Sequence, residues 1–279
     1  TRTEERLGNM AANSNRNLQQ RVRDMRFTVP EHVRPIRDRV LEFVEKECYP
    51  AERKLHELGQ GGGMGVSGLN DPNNAAAKVI RDLQAKAKKA GLWALGHPKE
   101  IGGQGMPMRD YIYVNEVQGR SEVAPIALGT HSLQDSLMLF NHASPEIKAK
   151  YLADLVSAEI YPSFAMTEPD IPSSDPTMIQ TKAELVDNGQ TWVISGRKWW
   201  TSNAANAPYT CVMVRTEPPS TAPHLSFSII LVPTSSPGYT IVRSTHVLGT
   251  HGADHSEVIY NNVRVPVTNL IGKRGMGFL

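Results

Sequence analysis

Apolar residues recur at intervals of three and four through the first half of the chain, which is the spacing of helices with one buried face. The pattern predicts a series of helices, and residues 30–159 are therefore predicted to form an all-helical domain. Gly91 is expected to end the second helix, and Ser144 is expected to cap the start of the last one. The predicted helices cover residues 30 to about 50 or slightly beyond, 74–90, 108–119, 124–141 and 144–159.

After Glu159 the apolar residues alternate with polar ones, which is typical of strands that bury one face. Asp187-Asn188-Gly189 predicts a tight hairpin, and Asn261-Asn262 predicts a further turn. Short strands separated by turns favour an antiparallel β-barrel or sandwich over residues 160–270, so the predicted fold class is α+β with two domains. The predicted strands are 161–166, 181–186, 190–195, 225–232, 239–242, 257–260 and 263–266.

Two segments fit neither pattern. Residues 1–29 are rich in arginine, asparagine and glutamine and poor in apolar residues, so we predict a disordered basic arm there. The stretch 59–74 contains GGGMG but lacks the lysine of a P-loop, and we predict a flexible surface loop. Since no GxGxxG lies between a predicted strand and a helix, a Rossmann dinucleotide site is not expected.

Composition narrows the classes of function. The formal charge of +2 is close to balance, so the chain as a whole is not expected to bind nucleic acid. Cys48 and Cys211 form no metal or redox motif, and two reduced thiols favour an intracellular location. The histidines show no metal-ligand spacing, so no metal is predicted. No apolar run approaches the ~18 residues of a membrane span.

The segment MTEPDIPSSD (166–175) follows the first predicted strand, and its prolines make the backbone irregular. Thr167, Ser173 and Ser174 offer hydroxyl groups beside backbone N–H groups, a combination that suits either the edge of a ring or a phosphate. Asp170 and Asp175 offer two carboxylates for acid–base chemistry, but aspartate beside proline and serine is more typical of turns.

The segment GRKWWTSNA (196–204) lies at the end of a predicted strand. Trp199 and Trp200 are expected to point to opposite faces of that strand, so that one belongs to the core. The other, with Ser202 nearby, could cover a flat heteroaromatic ring. From these residues alone, a tryptophan pair in a β-domain is more often core than the wall of a cofactor site.

Together these segments resemble the acyl-CoA dehydrogenase family. MTEPDIPSSD is similar to the family's TEPGxGSD loop, and GRKWWTSNA is similar to its K-x-W-I-T/S-N-A/G strand. The resemblance covers about residues 30–279, and its TEPD-x-x-SSD form and tryptophan pair are most similar to the branch of family members 10 and 11. Three further segments agree in order: GLWALGHPKEIGGQG, SPEIKAKYLADLVSAE and VIYNNVRVPVTNLIGKRGMGF.

The resemblance implies a helical domain, a β-barrel domain and a C-terminal four-helix bundle, of which residues 271–279 would be the start. The chain is therefore expected to be an incomplete fragment. The implied cofactor is FAD, and the implied reaction is α,β-dehydrogenation of an acyl-CoA in fatty-acid β-oxidation. A base takes the α-proton, and a hydride leaves the β-carbon for the flavin. Electron-transferring flavoprotein is the implied electron acceptor, and the intact protein is expected to be a homodimer or homotetramer.

The resemblance also assigns site residues. Met166, Thr167, Trp200 and Ser202 would contact the flavin, and Ser173 and Ser174 would contact acyl-CoA, in a loop one residue longer than the family pattern.

The family's catalytic base lies in the C-terminal bundle, so no catalytic residue is predicted in this chain, and Glu168 is not predicted to be the base. The implied compartment is the cytoplasm of a bacterium, or the mitochondrion or peroxisome of a eukaryote. The alternatives are a non-catalytic acyl-CoA- or flavin-binding or partner subunit, and an acyl-CoA oxidase or flavin monooxygenase on the same fold.

Overall fold

The computed structural model describes residues 28–58, 69, 73–248 and 254–279. The predicted basic arm lies almost wholly outside these residues, as does most of the predicted Gly-rich loop. Within them, a helical domain is followed by a mixed, mainly antiparallel sheet, so the predicted α+β order is confirmed.

All helices of the described chain except the last, which packs on the sheet, share one apolar core, in which Val40, Ile80 and Val114 have no exposed surface. Among the residues that the structure describes, no helix combines the length and apolar character required to cross a bilayer. The helices are α1 (Arg34–Phe43), α2 (Tyr49–Glu57), α3 (Ala75–Lys89), α4 (Met108–Gln118), α5 (Ala124–Ala127), α6 (Leu133–His142) and α7 (Pro145–Ser157).

The first predicted helix runs past Pro50 as far as Glu57. A π-helical turn, Val44–Cys48, joins α1 to α2, and the N–H of Tyr49 bonds to the carbonyl of Val44 five residues earlier. Proline has no N–H and its ring clashes with the carbonyl four residues before it, so an α-helix is disfavoured at this point. The wider π turn gives the chain one extra residue where this conflict arises.

The helix-end predictions at α3 and α7 agree with the structure. The side chain of Asn74 accepts bonds from Ala76 and Ala77, and that of Ser144 accepts one from Ile147. Gly91 has φ +64°, and the N–H groups after α3 bond back to its last turn. Such a left-handed residue satisfies carbonyls that the helix itself leaves unpaired.

The single helix predicted over 124–141 is wrong. Gly129 has φ +79° and a short 3-10 turn follows it, so α5 and α6 are separate. A Cβ on Gly129 would lie 3.0 Å from the Trp93 ring, so the backbone between α5 and α6 passes close to the loop that carries Trp93. The apolar spacing continues across the break, and this is why the sequence predicted one helix.

The sheet has the order β6-β7-β3-β2-β4-β5-β8, with β1 paired to β4. All pairings are antiparallel except β1–β4 and β2–β4, which are parallel and make the sheet mixed. Helices α6 and α7 pack on β4, β5 and β8 through a shared apolar cluster. The strands are β1 (Ser163–Ala165), β2 (Lys182–Val186), β3 (Thr191–Ser202), β4 (Tyr209–Arg215), β5 (Phe227–Pro233), β6 (Tyr239–Ser244), β7 (His255–Pro266) and β8 (Leu270–Ile271).

The predicted hairpin at 187–189 joins β2 and β3, with Asn188 and Gly189 at positive φ. The turn predicted at Asn261-Asn262 is wrong, because both residues lie inside β7. Asn262 has φ +52° and lies where the β3–β7 register shifts, so the pair forms an irregularity within a continuous strand.

The last described residues, 272–279, form turns against β5. Gly272 and Gly275 both have φ +77°, and the N–H of Gly277 bonds to the carbonyl of Phe227. The assignment of residues 271–279 to the start of a further domain stays a prediction.

Candidate functional site

The loop 166–175 is anchored to β3 by backbone and hydroxyl bonds. The hydroxyl of Thr167 donates to the carbonyl of Trp199 at 2.8 Å, and the N–H of Trp199 donates to the carbonyl of Thr167 at 3.0 Å. These bonds fasten the start of the loop to β3, directly beside the two tryptophans. The two sequence motifs are thereby brought together.

A buried ion pair joins the same two segments. Lys198 has no exposed surface, and its Nζ donates to the carbonyl of Met166 at 2.7 Å and to Oε1 of Glu168 at 2.9 Å. The Glu168 side chain is 4% exposed and also accepts the N–H groups of Gln180 and Thr181 at 2.8 and 2.9 Å. We call Lys198 and Glu168 the inner pair.

The inner pair is ionised at neutral pH. Burial by itself would raise the pKa of the Glu168 carboxyl, but the Lys198 charge and the two N–H donors hold that pKa below its ordinary value. Burial lowers the pKa of Lys198 to about 8, against the opposing effect of Glu168. Because its oxygens are already bonded to Lys198 and to two N–H groups, Glu168 is poorly placed to take a proton from a substrate.

A β-bulge in β3 contains the two tryptophans. Lys198 pairs with Val258 and Thr201 with Ser256, so β3 gains one residue on β7, and Trp200 has φ +54°. The expectation that the tryptophans point to opposite faces is wrong, since the bulge interrupts the alternation and their ring centres are 5.5 Å apart. Trp200 remains 41% exposed, which makes it an open aromatic surface beside the loop.

Ser202 lies next to this surface. Its hydroxyl is 2.9 Å from Nδ1 of His255, whose ring centre is 6.4 Å from that of Trp200. Asn203 has φ +64° and donates its amide to the carbonyl of Tyr161 at 2.7 Å, which fixes the end of β3 against the segment that leads into β1.

The other residues singled out in the loop differ in their partners. The Ser173 hydroxyl accepts from the N–H of Glu168 and donates to its carbonyl, each at 3.0 Å, so it closes the loop on itself. Ser174 is exposed. Asp175 caps the turn at Thr177, as the turn interpretation predicted, and Asp170 lies 3.7 Å from Arg197 at the surface.

On the opposite face of β3, a second buried carboxylate has two arginine partners. Glu257 is 1% exposed, and Arg197 and Arg243 bond to its two oxygens, the latter at 2.7 Å. The bond from Arg243, together with Arg197 and against the effect of burial, lowers the pKa of Glu257. Both arginines are themselves exposed. We call these three residues the outer cluster.

The structure thus places Met166 and Thr167 beside the end of β3 that carries Trp200 and Ser202, with Ser173 and Ser174 in the loop that follows them. Sequence reasoning did not single out Lys198, and it treated His255 only as a candidate metal ligand, which the spacing did not support. Lys198 lies inside the GRKWWTSNA motif, but nothing in the local pattern distinguishes a buried lysine from a solvated one.

Comparison with known proteins identifies the family of the chain. The model of the acyl-CoA dehydrogenase N-terminal domain matches residues 30–159, and that of the middle domain matches residues 163–263. The chain belongs to the acyl-CoA dehydrogenase family. The family resemblance inferred from the two motifs is therefore confirmed.

Individual relatives agree with this assignment. The chain is 36% identical over 262 residues to "Probable acyl-CoA dehydrogenase FadE2" of Mycobacterium tuberculosis, a match that covers 91% of this chain and 61% of that protein. It is 34% identical over 248 residues to acyl-CoA dehydrogenase family member 11 of Mus musculus, covering 86% of this chain and 30% of that protein. The predicted likeness to the branch of members 10 and 11 is thereby confirmed.

A solved acyl-CoA dehydrogenase from Geobacillus kaustophilus has the same fold. The two structures superpose with a TM-score of 0.67 at 25% sequence identity, covering 91% of this chain and 61% of that one. The acyl-CoA dehydrogenase chain described here therefore spans less than two thirds of the length of these relatives.

Proposed function

We propose that the protein carrying this chain is an FAD-dependent acyl-CoA dehydrogenase that introduces an α,β double bond into an acyl-CoA thioester. The observation that carries the proposal is the open aromatic and hydroxyl surface of Trp200, Thr167 and Ser202 in a chain of this family. FAD, when bound, supplies the hydride acceptor for the reaction.

The residues present fit a flavin ring. A flat heteroaromatic ring with a polar edge needs an apolar face to pack on and hydrogen-bonding groups at its rim. Trp200 offers the face, because the bulge keeps 41% of it exposed instead of burying it. Met166, Thr167 and Ser202 lie beside it and would hold the polar edge. The neighbouring Ser174, exposed in the loop, and Ser173 are the proposed contacts for acyl-CoA.

Within this site, the residues of this chain would orient and polarise the bound flavin and acyl-CoA, but they would not take the α-proton. The one carboxylate in the loop core, Glu168, is bound to Lys198 and two N–H groups. We therefore propose that the base comes from a part of the protein outside residues 1–279, in keeping with the 61% of FadE2 that this chain spans. A base at a well-placed position contributes roughly 10²–10⁴ in rate.

The proposal extends to pathway and partners. An acyl-CoA dehydrogenase of this kind would act in fatty-acid β-oxidation and pass its electrons to electron-transferring flavoprotein, and it would assemble as a homodimer or homotetramer inside the cell.

The absorbance of bound flavin tests the proposal. Full-length protein is expected to purify with the absorbance of bound FAD, and anaerobic addition of acyl-CoA is expected to bleach it. Trp200→Ala and Thr167→Ala should each lower the FAD content. A matched control is Trp93→Ala, since Trp93 lies in the helical domain and its indole bonds to Val156. Full FAD content in both site variants would contradict the site assignment, and fast reoxidation in air would favour an oxidase.

A further inference from the structure

The inner pair holds a charge beside the peptide group that begins the loop. Lys198 Nζ is 2.7 Å from the carbonyl oxygen of Met166, and that carbonyl belongs to the same peptide group as the N–H of Thr167. A cation bonded to the oxygen of a peptide withdraws electron density from its nitrogen, so the N–H becomes a stronger donor. Burial of Lys198 strengthens this effect, because little solvent screens the charge.

The carboxylate does not cancel this polarisation. The N–H groups of Gln180 and Thr181 bond the two oxygens of Glu168, so its negative charge is shared among three donors, whereas Lys198 lies between it and the Met166 carbonyl as a donor to both. The pair therefore acts as a fixed dipole whose positive end lies at the Met166–Thr167 peptide.

Mechanical anchoring of the loop does not require this charge. Thr167 is already bonded to Trp199 through its hydroxyl and its carbonyl, and Ser173 closes the loop on Glu168. A buried ion pair is often no more stabilising than apolar residues of the same volume, since both charges lose their hydration. An electrostatic role accounts for a charged pair at this place where a purely structural role does not.

We propose that Lys198 is a positioning residue that orients and polarises the Met166–Thr167 peptide, so that it stabilises the electron-rich reduced state of a ring bound against Trp200. The inference rests on the proposed function, in which that ring is the flavin. Lys198 acts through the peptide and does not touch the ring.

The test measures the two-electron midpoint potential of the bound flavin in full-length protein at pH 6, where Lys198 is protonated. In the double variant Lys198→Met/Glu168→Gln, which leaves no buried charge, the ratio of reduced to oxidised flavin at a fixed solution potential should fall at least about tenfold, which is about 30 mV. Lys198→Arg, which keeps a cation beside Glu168, should hold the ratio within about twofold of that of the unaltered protein. Arg197→Gln, on the exposed face of the same strand, is the matched control and should change the ratio less than about twofold.

The arginine variant separates electrostatics from loosening of the loop, because it alters the packing at this position but keeps the charge. A shift in Lys198→Arg as large as that in the double variant, or no shift in the double variant while FAD remains bound, would overturn the role of Lys198 and leave the proposed function intact. If the double variant does not fold, the pH dependence decides: between about pH 6 and pH 9 the ratio in the unaltered protein should fall relative to that in Lys198→Arg, because lysine loses its proton there and arginine does not. Full-length protein that binds no flavin would overturn both.

Discussion

Two buried carboxylates lie on opposite faces of β3 and differ mainly in what covers their partners. Glu168 bonds to Lys198, which has no exposed surface, whereas Glu257 bonds to two arginines that reach solvent. Lys198 and Arg197 are adjacent in sequence, and the alternation of the strand sends them to opposite sides. A buried carboxylate therefore pairs with a buried cation in one case and with a solvent-exposed cation in the other, although the two cations are neighbours in sequence.

The difference decides what each group can do. Water weakens the field of the outer cluster, and salt screens it over roughly 8–10 Å at physiological ionic strength. Its exposed arginines therefore act mainly by covering Glu257. The inner pair has no such screen, and its charges act on the nearest polar groups, which are those of the loop start. The inner pair, which is buried, is therefore expected to have the larger electrostatic effect on the candidate site.

The largest expected effect comes from breaking the inner pair on one side. Lys198→Met should lower the free energy of unfolding by about 3–5 kcal/mol, because it leaves the Glu168 carboxylate buried without its cation. Urea unfolding of full-length protein would measure it. Adding Glu168→Gln should restore most of the loss, and a loss that persists in the double variant would assign the effect to packing instead of charge.

Acid should act on both carboxylates. Each has a pKa below the ordinary value of 4.5, so each contributes stability that is complete above about pH 4.5 and is lost as the pH falls through its lowered pKa. Over that range each is expected to add about 1.4 kcal/mol per pH unit to the slope of the unfolding free energy.

The slopes of variants isolate the two contributions. Urea titrations between about pH 5 and pH 3 should show a shallower slope for Lys198→Met/Glu168→Gln, and again for Glu257→Gln. An unchanged slope in either variant would mean that its carboxylate binds a proton equally well in the folded and unfolded protein.

The smallest expected effect is at the outer cluster. Arg243→Gln should cost about 1 kcal/mol or less, because Arg197 remains on Glu257 and water can reach the vacated oxygen. The cost should shrink further in 1 M salt, while the cost of Lys198→Met should not. If salt reduced the cost of both substitutions equally, the buried and the exposed ion pairs would not differ in screening.

Most of the fold could be predicted from periodicity, and the exceptions have physical reasons. Strand β4 was not predicted, because it is buried along almost its whole length and so shows no alternation of apolar and polar residues. The break between α5 and α6 was missed, because Gly129 interrupts the backbone without interrupting the apolar spacing. Asn261-Asn262 resembles a turn, but pairing with β3 keeps the strand continuous.

The candidate site was predictable as a set of residues but not as a geometry. The motifs indicated Thr167, Trp200 and Ser202 through a family resemblance. They could not indicate that Lys198 is buried, since its partner Glu168 lies thirty residues earlier and only the folded sheet brings them together. Nor could alternation alone predict the bulge, which depends on the register between β3 and β7.

The π turn at Val44–Cys48 has a consequence for comparing this chain with its relatives. Val44 and Cys48 are the first and last residues of the turn, Leu55 lies in α2, and all three are buried in the same core. Because a π turn holds one residue more than an α-helical turn, deleting one residue within it would leave a continuous α-helix with Leu55 still facing that core. Deleting one residue from α2 itself would instead rotate the positions beyond the deletion by about 100°. An alignment with a relative that lacks the turn therefore needs its one-residue gap inside the helix. A gap placed after Glu57 instead would shift every buried position of α2 by one.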